Sequence, residues 1–531
     1  MNKIKSTKGI TLISLVITII ILIILAGVAI NLSIGNNGIF TRAKQAKGAY
    51  KQTAAKEKVE IVLLDARIEK NENPEYNEEF LNNMLEESGI EVNGNVVTLD
   101  NYNFTIDREN LKIVTENGES NIKVSKEVQK YLEKNANGKY EAQILVTIES
   151  DKELQNVTIE KPDGTTLTLE IDKNEITKEI TVEFDEAYKI IIATKEGKTI
   201  TRTIIEKTEE KIRTTQDLVL FRNKVNSGLT YEGKIIKLAN DIDLSTVCGE
   251  NIDGREISWQ TIGNNDEVFK GTFDGNNKTI YNLYIKNSDD SQALFGTSYG
   301  VIKNITISEK SSISCYTYSS SIVGFNYGTV SQCINNSTVT SSSNGSSGIA
   351  AHNYGIIEEC INNGKIICGS QNCGGIVAYN LETVRNCYNT GIIQGNKYVG
   401  GISGHDGSVG LKITGKIQNC YSTGTISGSS YVGGVLGCST SKYYSVLNSC
   451  WLLGTGPNYG INGDVYTNTN AIKIDADTLK NYAPTLGVSF ISDGKKLDNN
   501  GNIVDNLDDF QNIIYINNGY PILKWQVIKN K

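Results

Sequence analysis

Apolar and polar residues follow several different patterns along the chain, and each pattern predicts a different structure. Residues 10–30 carry no charge and are almost all apolar. At about 1.5 Å per residue they predict a helix of roughly 31 Å, which is long enough to cross a bilayer. Spaced apolar positions among Ala, Lys and Glu continue this helix until Asn73-Pro74 ends it. We therefore expect one long helix over residues 10–73, with a transmembrane half at 10–30.

Two stretches of strand-like alternation follow the helix. Residues 74–118 alternate around a turn at Asn93-Gly94 and predict a small α/β connector. Residues 119–211 contain runs such as AQILVTIES and KEITVEF, separated by turns such as Pro162-Asp163-Gly164. Their spacing predicts a small β-sandwich, and it is similar to that of bacterial immunoglobulin-like modules. Because Lys and Glu dominate the outward positions, we expect this module to be a spacer.

The strongest pattern is an internal repeat. Units such as GIAAHNYGIIEECINNGKIICGSQNC and GIVAYNLETVRNCYNTGIIQGNKYVG recur between Ser321 and Gly454. One Cys recurs with spacings of 27, 27, 33 and 30 residues, at Cys333, Cys360, Cys387, Cys420 and Cys450. A period near 27 with three short apolar runs predicts one turn of a three-sided solenoid, because stacked units bury the face that a single unit leaves exposed. We expect the solenoid over residues 212–465 and a C-terminal cap on its open end over residues 466–531.

Equivalent positions of the repeats are expected to stack about 4.8 Å apart, one coil above another. An inward aliphatic ladder is predicted at Ile322, Ile349, Ile376, Ile402 and Val435, and the repeated Cys predict a second inward ladder. Amide stacking from coil to coil is predicted at Asn326, Asn353, Asn380 and Asp406. Tyr388 and Tyr421 follow the repeated Cys. We expect these two tyrosines to face outward or to lie near a corner, as candidate contacts for a ligand.

Composition and charge mainly exclude functions. The net charge of −8 argues against a nucleic-acid partner, and the chain has only 2 His. His352 and His405 share a register two coils apart, which is roughly 10 Å by the strand spacing and too far for one metal ion. The sequence has no metal-binding Cys pair and no H-E-x-x-H motif. We expect no metal, no cofactor and no enzymatic activity; the alternative is a carbohydrate-active β-helix enzyme with converging carboxylates.

The first residues resemble a known family. The stretch KGITLISLV, which follows a short basic segment, is similar to the leader and helix start of type IV pilins and pseudopilins. The resemblance implies a leader over residues 1–9, cleavage between Gly9 and Ile10 by a prepilin peptidase, and methylation of the new N-terminus. That family has Glu five residues into the mature chain, where this chain has Ser14, so assembly into a pilus is left open. A plain membrane anchor and an ordinary signal peptide are the alternatives.

The repeats resemble a second family. The GLUG repeat reads roughly GGLVGxNxGxIxNCYxTGxVxG. Residues 321–454 match this pattern unit by unit. The preceding coils are similar to right-handed parallel β-helices of bacterial surface proteins. Together these resemblances imply a mainly β, single-pass membrane protein whose C-terminal part is extracellular, acting as an adhesin or a minor pilin-like subunit. The implied partners are the membrane, the prepilin peptidase, other pilins, and a glycan or other ligand on a host or cell surface. A purely structural envelope protein is the remaining alternative.

Overall fold

The computed structural model describes two compact parts of the chain, divided between Asn121 and Ile122. The first is described between residues 55 and 113, with gaps at 57, 61, 64–65, 67–69, 71–76, 100–101 and 110. The second is described between residues 122 and 529, with gaps at 172–174, 288, 408–414, 441–443, 462–468, 494–495, 498–502 and 505–515. Gly9, Ile10, Ser14 and the apolar run at 10–30 lie outside the described residues. Among the helices that are described, none is both long and apolar enough to cross a membrane.

The N-terminal part combines helical residues with an antiparallel sheet. Val59 and Leu63 are helical and fully buried, one turn apart on the same helix face. A helix over Glu78–Glu87 begins where the Asn77 side chain accepts a hydrogen bond from the amide of Phe80 at 2.8 Å. The strands of the sheet pair in chain order and are Glu91–Asn93, Val96–Leu99, Tyr102–Asp107 and Lys112–Ile113. Buried side chains of the helical residues and the sheet form one core.

Two small antiparallel sheets precede the solenoid. In the described residues one sheet has strands Lys123–Leu132, Glu141–Glu149 and Glu175–Glu183. The other has strands Leu154–Glu160, Thr166–Leu169, Ala187–Thr194 and Thr199–Ile205. Within Glu141–Glu149 every second side chain is buried, as the alternation of its sequence predicts. The buried side chains of both sheets belong to the same hydrophobic core as the solenoid interior.

A short helix that the sequence analysis missed covers the N-terminal end of the solenoid. It spans Thr215–Val225 and begins with a capping box, in which Thr214 and Asp217 each accept a hydrogen bond from the other's backbone amide. Phe221 on this helix packs edge-on against Tyr231, with ring centroids 4.9 Å apart. The helix thereby shields the apolar interior of the first coil from water.

The remainder of the second part confirms the predicted parallel β-solenoid, which has about 9 turns in the described residues. Its strands form three parallel sheets in that part of the chain. The first comprises Glu209–Ile212, Ile235–Leu238, Ile242–Asp243, Thr272–Tyr281, Val301–Ile307, Thr329–Ser331, Ile334–Asn335, Ile356–Glu358, Ile361–Asn362, Thr383–Arg385, Tyr388–Asn389, Lys416–Gln418, Tyr421–Ser422, Ser445–Leu452 and Thr469–Ile474. The second comprises Tyr284–Lys286, Ser312–Cys315, Thr338–Ser341, Ile366–Cys368, Ile393–Gln394 and Ile426–Ser427. The third comprises Phe295–Ser298, Val323–Asn326, Ser346–Ser347, Ala350–Asn353, Gln371–Gly374, Val377–Asn380, Lys397–Gly400, Ser403–Asp406, Ser430–Ser439 and Tyr459–Ile461. A separate antiparallel hairpin pairs Gly249–Ile252 with Arg255–Ile257.

Consecutive coils stack in register, with the aliphatic ladder inside. Its members are fully buried at Ile322, Ile349, Ile376, Ile402 and Val435. At one corner of successive coils a non-glycine residue has a left-handed backbone, with φ between 53° and 57°, at Asn304, Gln332, Glu359, Asn386 and Asn419. This bend aims the following side chain, which is the repeated Cys in most coils, into the interior.

The C-terminal segment differs from the expected cap. Thr469–Ile474 adds a last parallel strand to the solenoid. The described residues beyond it lie along one flank, where Phe490 and Trp525 share a core cluster with the outward side chains of Ile361 and Tyr421. The elements of this flank cover are the helices Ala476–Lys480, Ala483–Leu486 and Lys524–Lys529 and the strand pairs Phe490–Ile491 with Ile522–Leu523 and Lys496–Leu497 with Ile503–Val504. The segment covers this flank because the outward side chains there are large and apolar.

Candidate functional site

Four of the five predicted cysteines form a buried ladder inside the solenoid: Cys333, Cys360, Cys387 and Cys420. Each thiol donates to the carbonyl two residues earlier, at 3.1–3.2 Å. The amides of Cys360 and Cys387 donate to the sulfur of the next coil at 3.4 Å. All ten cysteines of the chain lie in the described residues and are buried free thiols. Burial raises the pKa of Cys387 well above its usual range, so this thiol stays protonated and unreactive.

The fifth predicted rung is wrong by one residue. Tyr421 pairs with Cys450, so Ser449 takes the rung above Cys420. The Ser449 hydroxyl accepts a hydrogen bond from the amide of Cys420 at 3.2 Å. Because side chains alternate between the two faces of a strand, a shift of one residue moves Cys450 to the outward face. It lies there in the core cluster under the C-terminal segment.

The predicted amide positions lie together in one buried ladder. Asn326 donates to the Oδ1 of Asn353 at 2.8 Å, and Asn353 donates to the Oδ1 of Asn380 at 2.8 Å. Asp406 occupies the next rung, where the Ser403 hydroxyl donates to its Oδ1 at 2.6 Å. Burial raises the pKa of Asp406 to about 7, although the hydrogen bonds from Ser403 and Asn380 favour the charged form. Because the side chains of this ladder are fully buried and bond one another, they hold the coils together and are not accessible to a ligand.

A second amide ladder was missed in the sequence analysis. Asn335 donates to Asn362 at 2.8 Å, Asn362 donates to Asn389 at 2.7 Å, and Asn389 donates to the Ser422 hydroxyl at 3.1 Å. All four side chains are fully buried. The signal was present, because the second residue after each repeated Cys is Asn, Asn, Asn and Ser in turn.

The two tyrosines proposed as ligand contacts are buried, which corrects the sequence prediction. Tyr388 and Tyr421 stack on each other with centroids 5.0 Å apart. The Tyr388 hydroxyl bonds the side chain of Gln526 at 3.1 Å. The Tyr421 hydroxyl donates to the carbonyl of Pro521 and accepts from Asn517 at 2.6 Å. They do point out of the coil, but the C-terminal segment covers them, so they hold that segment in place.

A different surface collects exposed, partly exposed and buried aromatic residues from successive coils. We call it the aromatic face, and it consists of Tyr299, Tyr318, Phe325, Tyr327, His352, Tyr354, Tyr379, Tyr398, His405 and Tyr431. Every one of these rings contacts another of the set, with centroids 4.2–6.4 Å apart. The face follows the third solenoid sheet, because most of the rings lie on or directly beside its strands.

One column of the aromatic face is a straight stack of tyrosines. Tyr299 and Tyr327 lie 4.6 Å apart with their planes 7° from parallel, and Tyr327 and Tyr354 lie 4.7 Å apart at 8°. Tyr299 is 52% exposed and Tyr327 is 39% exposed. The stack follows from the register, because each tyrosine comes directly after the last residue of its strand and the strands pair one above another.

A second column contains both histidines of the chain. Phe325 stacks on His352 at 4.6 Å, and Tyr379 stacks on His405 at 4.9 Å. The two histidines share a register two coils apart, as predicted, and Tyr379 lies between them. Burial lowers the pKa of His352 and of His405 to about 4, so both rings are neutral at physiological pH. The Nδ1 atoms of both rings are buried and find no hydrogen-bond partner among the described residues.

The third column has tyrosines with unusual backbone geometry. Tyr318, Tyr398 and Tyr431 have φ of 56°, 55° and 53°, which bulky residues seldom adopt. The ring centroids of Tyr318 and His352 lie 4.2 Å apart. The Tyr318 ring can occupy this position because residue 345 is Gly: a Cβ added there would lie 2.2 Å from an atom of the ring. Left-handed backbone at a bulky side chain is a form of strain that concentrates at functional surfaces.

Some charged groups of the solenoid contact aromatic rings or a group of opposite charge. The ammonium of Lys397 lies 4.5 Å from the Tyr398 ring and 5.5 Å from the Tyr431 ring. Glu358 pairs with Arg385 at 2.5 Å on the first sheet. Within the part of the chain that the structure describes, no group of three or more His, Cys, Asp or Glu is placed to hold a metal ion. The arrangement therefore offers a rigid, largely uncharged aromatic surface suited to binding.

A sequence signal for the first column existed. Tyr-Gly follows the last strand residue in three successive coils, at Tyr299-Gly300, Tyr327-Gly328 and Tyr354-Gly355. No protein-family model matches the chain, and a comparison with curated proteins found no match.

Proposed function

We propose that this chain is a membrane- or pilus-anchored surface protein that binds a ligand through its β-solenoid, as an adhesin or a minor pilin-like subunit. The observation that carries the proposal is the aromatic face. Exposed tyrosines such as Tyr299 and Tyr327 are gathered from separate coils into one continuous surface. Contiguous exposed aromatic surface on a soluble domain commonly marks an interaction site.

The anchoring half of the proposal rests on the sequence of residues 1–30. A basic leader that ends in Gly9, followed by an uncharged run of membrane-spanning length, is consistent with prepilin-type processing and single-pass insertion. The GLUG-like pattern of residues 321–454 supports the same placement at the cell surface. Ser14 in place of the pilin Glu favours anchoring over assembly into a filament.

The two antiparallel sheets are suited to act as a stalk, and an immunoglobulin-like sandwich is the arrangement we propose for them. Their outward positions are rich in Lys and Glu, with exposed ion pairs such as Lys189–Glu160 at 2.8 Å. A buried ion pair between Glu206 and Lys234 joins the end of this module to the first coils. Such a joint favours a fixed orientation of module and solenoid.

We propose binding without catalysis as the role of the solenoid. The predicted amide stripe is buried and bonded internally, and the carboxylate that ends it, Asp406, is itself fully buried. A glycoside-cleaving site would need two accessible carboxylates facing each other across a cleft. Incubating the purified chain with polysaccharides and measuring new reducing ends tests this proposal, and turnover above a heat-denatured control would contradict it.

Two measurements on intact cells test the surface function. Mass spectrometry of the mature protein should find an N-terminal peptide that begins at methylated Ile10, whereas a start at Met1 or near residue 27 would contradict prepilin-type processing. Protease treatment of intact cells should release solenoid peptides, and cells without the gene should adhere less to their natural surface. Solenoid peptides that stay protected until lysis would contradict surface display.

A further inference from the structure

We propose that the aromatic face binds a linear, uncharged polysaccharide that lies along the solenoid axis across successive coils. This inference rests on the proposed binding function and names its ligand class. Three features carry it: a straight row of phenol hydroxyls, buried imidazole nitrogens without partners, and a tyrosine stack that exposes ring edges and hides ring faces.

The first feature is the row of hydroxyls on Tyr299, Tyr327 and Tyr354. Their rings are nearly parallel and 4.6–4.7 Å apart, so the hydroxyls repeat at the spacing of the coils. None of the three hydroxyls bonds another group in the described part of the chain. Each phenol can donate one hydrogen bond and accept another. The row therefore matches a ligand that offers hydroxyls at regular intervals along a line.

The second feature is the pair of buried histidines in the neighbouring column, of which His352 lies beside this row. His352 is 8% exposed and His405 is 6% exposed, and the Nδ1 of each has no partner among the described residues. An unpaired buried nitrogen is costly, because it has lost water without gaining a protein partner. A ligand hydroxyl would satisfy it where binding turns the ring and brings the Nδ1 to the surface of the second column. His352 also contacts Tyr354 at 6.4 Å, so the two columns form one surface.

The third feature separates polysaccharides from other ligands. In the first column the rings cover one another's faces, so the outward surface of that column consists of ring edges and hydroxyls. A cation binds the negative face of an aromatic ring, and a nucleobase stacks on it. Both therefore need ring faces, which stacking hides in the first column and which the ammonium of Lys397 occupies at Tyr398 and Tyr431. Ring edges are positive and suit the oxygen atoms of a neutral sugar chain. The neutral imidazoles and the net charge of −8 also disfavour a polyanion.

The face is also preorganised for an extended ligand. Strands Val323–Asn326, Ala350–Asn353 and Val377–Asn380 pair in register beneath it, and the amide ladder from Asn326 to Asn380 ties them together. A surface that is already ordered loses little conformational entropy on binding. A chain that contacts several coils at once would gain from each repeat of the row.

The test is co-sedimentation of the full-length protein, held in detergent, with insoluble cellulose, chitin, mannan and xylan. We expect saturable binding to at least one of these, with little dependence on salt because no ion pairs form.

The triple variant Tyr299→Phe, Tyr327→Phe and Tyr354→Phe keeps the ring stack and removes the hydroxyl row. It should bind about tenfold or more weakly, with an unchanged melting temperature. The control Tyr316→Phe changes a tyrosine that is 57% exposed and outside the aromatic face, and it should bind as the unchanged protein does.

Two results would overturn the inference: no binding of the unchanged protein to any of the four polymers, or equal binding by the triple variant. Failure of the ligand class is distinguishable from failure of the proposed function. Suppose that protease releases the solenoid from intact cells and that adhesion depends on the protein, but that the purified protein binds none of the four polymers. The proposed surface function would then be supported, and the proposed polysaccharide ligand would be wrong. If the purified protein binds a polymer but the solenoid stays protected in intact cells, the surface function is wrong and the binding face stands.

Discussion

The ammonium of Lys234 lies 2.7 Å from the carboxylate of Glu206, and neither side chain is more than 3% exposed. Lys126 also reaches Glu206 at 2.9 Å, and Glu210 lies 2.8 Å from Lys234. Glu206 ends the antiparallel module and Lys234 directly precedes the solenoid strand Ile235–Leu238, so this buried network joins the module to the solenoid. Removing Lys234 would leave the buried carboxylate of Glu206 with Lys126 as its remaining ion-pair partner, which makes the joint a sensitive point for stability.

Lys234→Met should destabilise the protein by about 3–5 kcal/mol, because the buried carboxylate of Glu206 loses its closest partner. The matched control is Lys189→Met, which removes an ion pair between half-exposed side chains, Lys189 and Glu160, and should cost about 1 kcal/mol or less. Urea unfolding followed by circular dichroism measures both. Equal losses for the two variants would show that the buried network does not stabilise the joint.

The same network predicts a dependence on pH. Burial alone would raise the pKa of Glu206, but the charges of Lys126 and Lys234 outweigh it and hold that pKa below its ordinary value. The contribution is therefore present above the unfolded pKa of a Glu, about 4.3, and is lost as the pH falls through the lower folded value. The difference between the unchanged protein and Lys234→Met should shrink below about pH 4.

Asp406→Asn should stabilise the protein at neutral and alkaline pH. Burial raises the pKa of Asp406 to about 7, so the folded state holds a proton that the unfolded state releases above about pH 4. Stability from this group is thus full below the unfolded pKa and falls as the pH rises towards 7, by roughly 4 kcal/mol at most. An Asn side chain at this position is neutral at every pH, whereas the buried Asp406 must bind a proton to become neutral. The Asn side chain also continues the amide ladder from Asn380. Urea unfolding at pH 4 and pH 8 checks this, and a stabilisation of equal size at both would contradict it.

Asn353→Ala should destabilise the protein by about 2–4 kcal/mol, because the buried amide of Asn326 keeps only its bond to the carbonyl of Ile356 and the buried side-chain oxygen of Asn380 loses the bond from Asn353. The control Asn363→Ala removes a side chain whose bond to Asn336 at 2.9 Å is exposed, and it should change stability by about 0.5 kcal/mol or less. Thermal unfolding of the two variants side by side decides the matter. If Asn363→Ala reduced stability as much as Asn353→Ala does, the buried ladder would contribute no more to stability than an exposed hydrogen bond.

Trp525→Ala should loosen the C-terminal segment from the flank of the solenoid. The Trp525 side chain is 9% exposed, and its indole donates to the carbonyl of Glu359 at 3.2 Å. Loss of this contact should cost about 3–5 kcal/mol locally. Hydrogen exchange should then rise in residues 516–529 while the ladder strands stay protected. Val488→Ala, at a residue 87% exposed in the same segment, should leave exchange unchanged.

Much of the fold was predictable because the repeat has a fixed period. A constant spacing predicts which residues of successive coils stack on one another. The stacked positions are as predicted for the cysteine ladder from Cys333 to Cys420, the aliphatic ladder from Ile322 to Val435 and the amide ladder from Asn326 to Asp406. Where the period changes, spacing loses this power. The last unit differs in length from the others, and one residue of difference put Ser449 where Cys450 was expected.

The candidate site was harder to predict for a related reason. Periodicity shows that Tyr388 and Tyr421 point out of the coil, but it cannot show that residues about a hundred positions later fold back over them. It also cannot show that Tyr318, which precedes its strand, and Tyr354, which follows one, end beside the same histidine.

Local sequence thus set the inward and outward direction of each side chain, since that depends on strand alternation and the corner bend alone. The choice of which outward surface stays open was made by long-range packing: apolar area is buried wherever another segment can reach it, and the C-terminal segment reaches Tyr421 and leaves Tyr327 exposed.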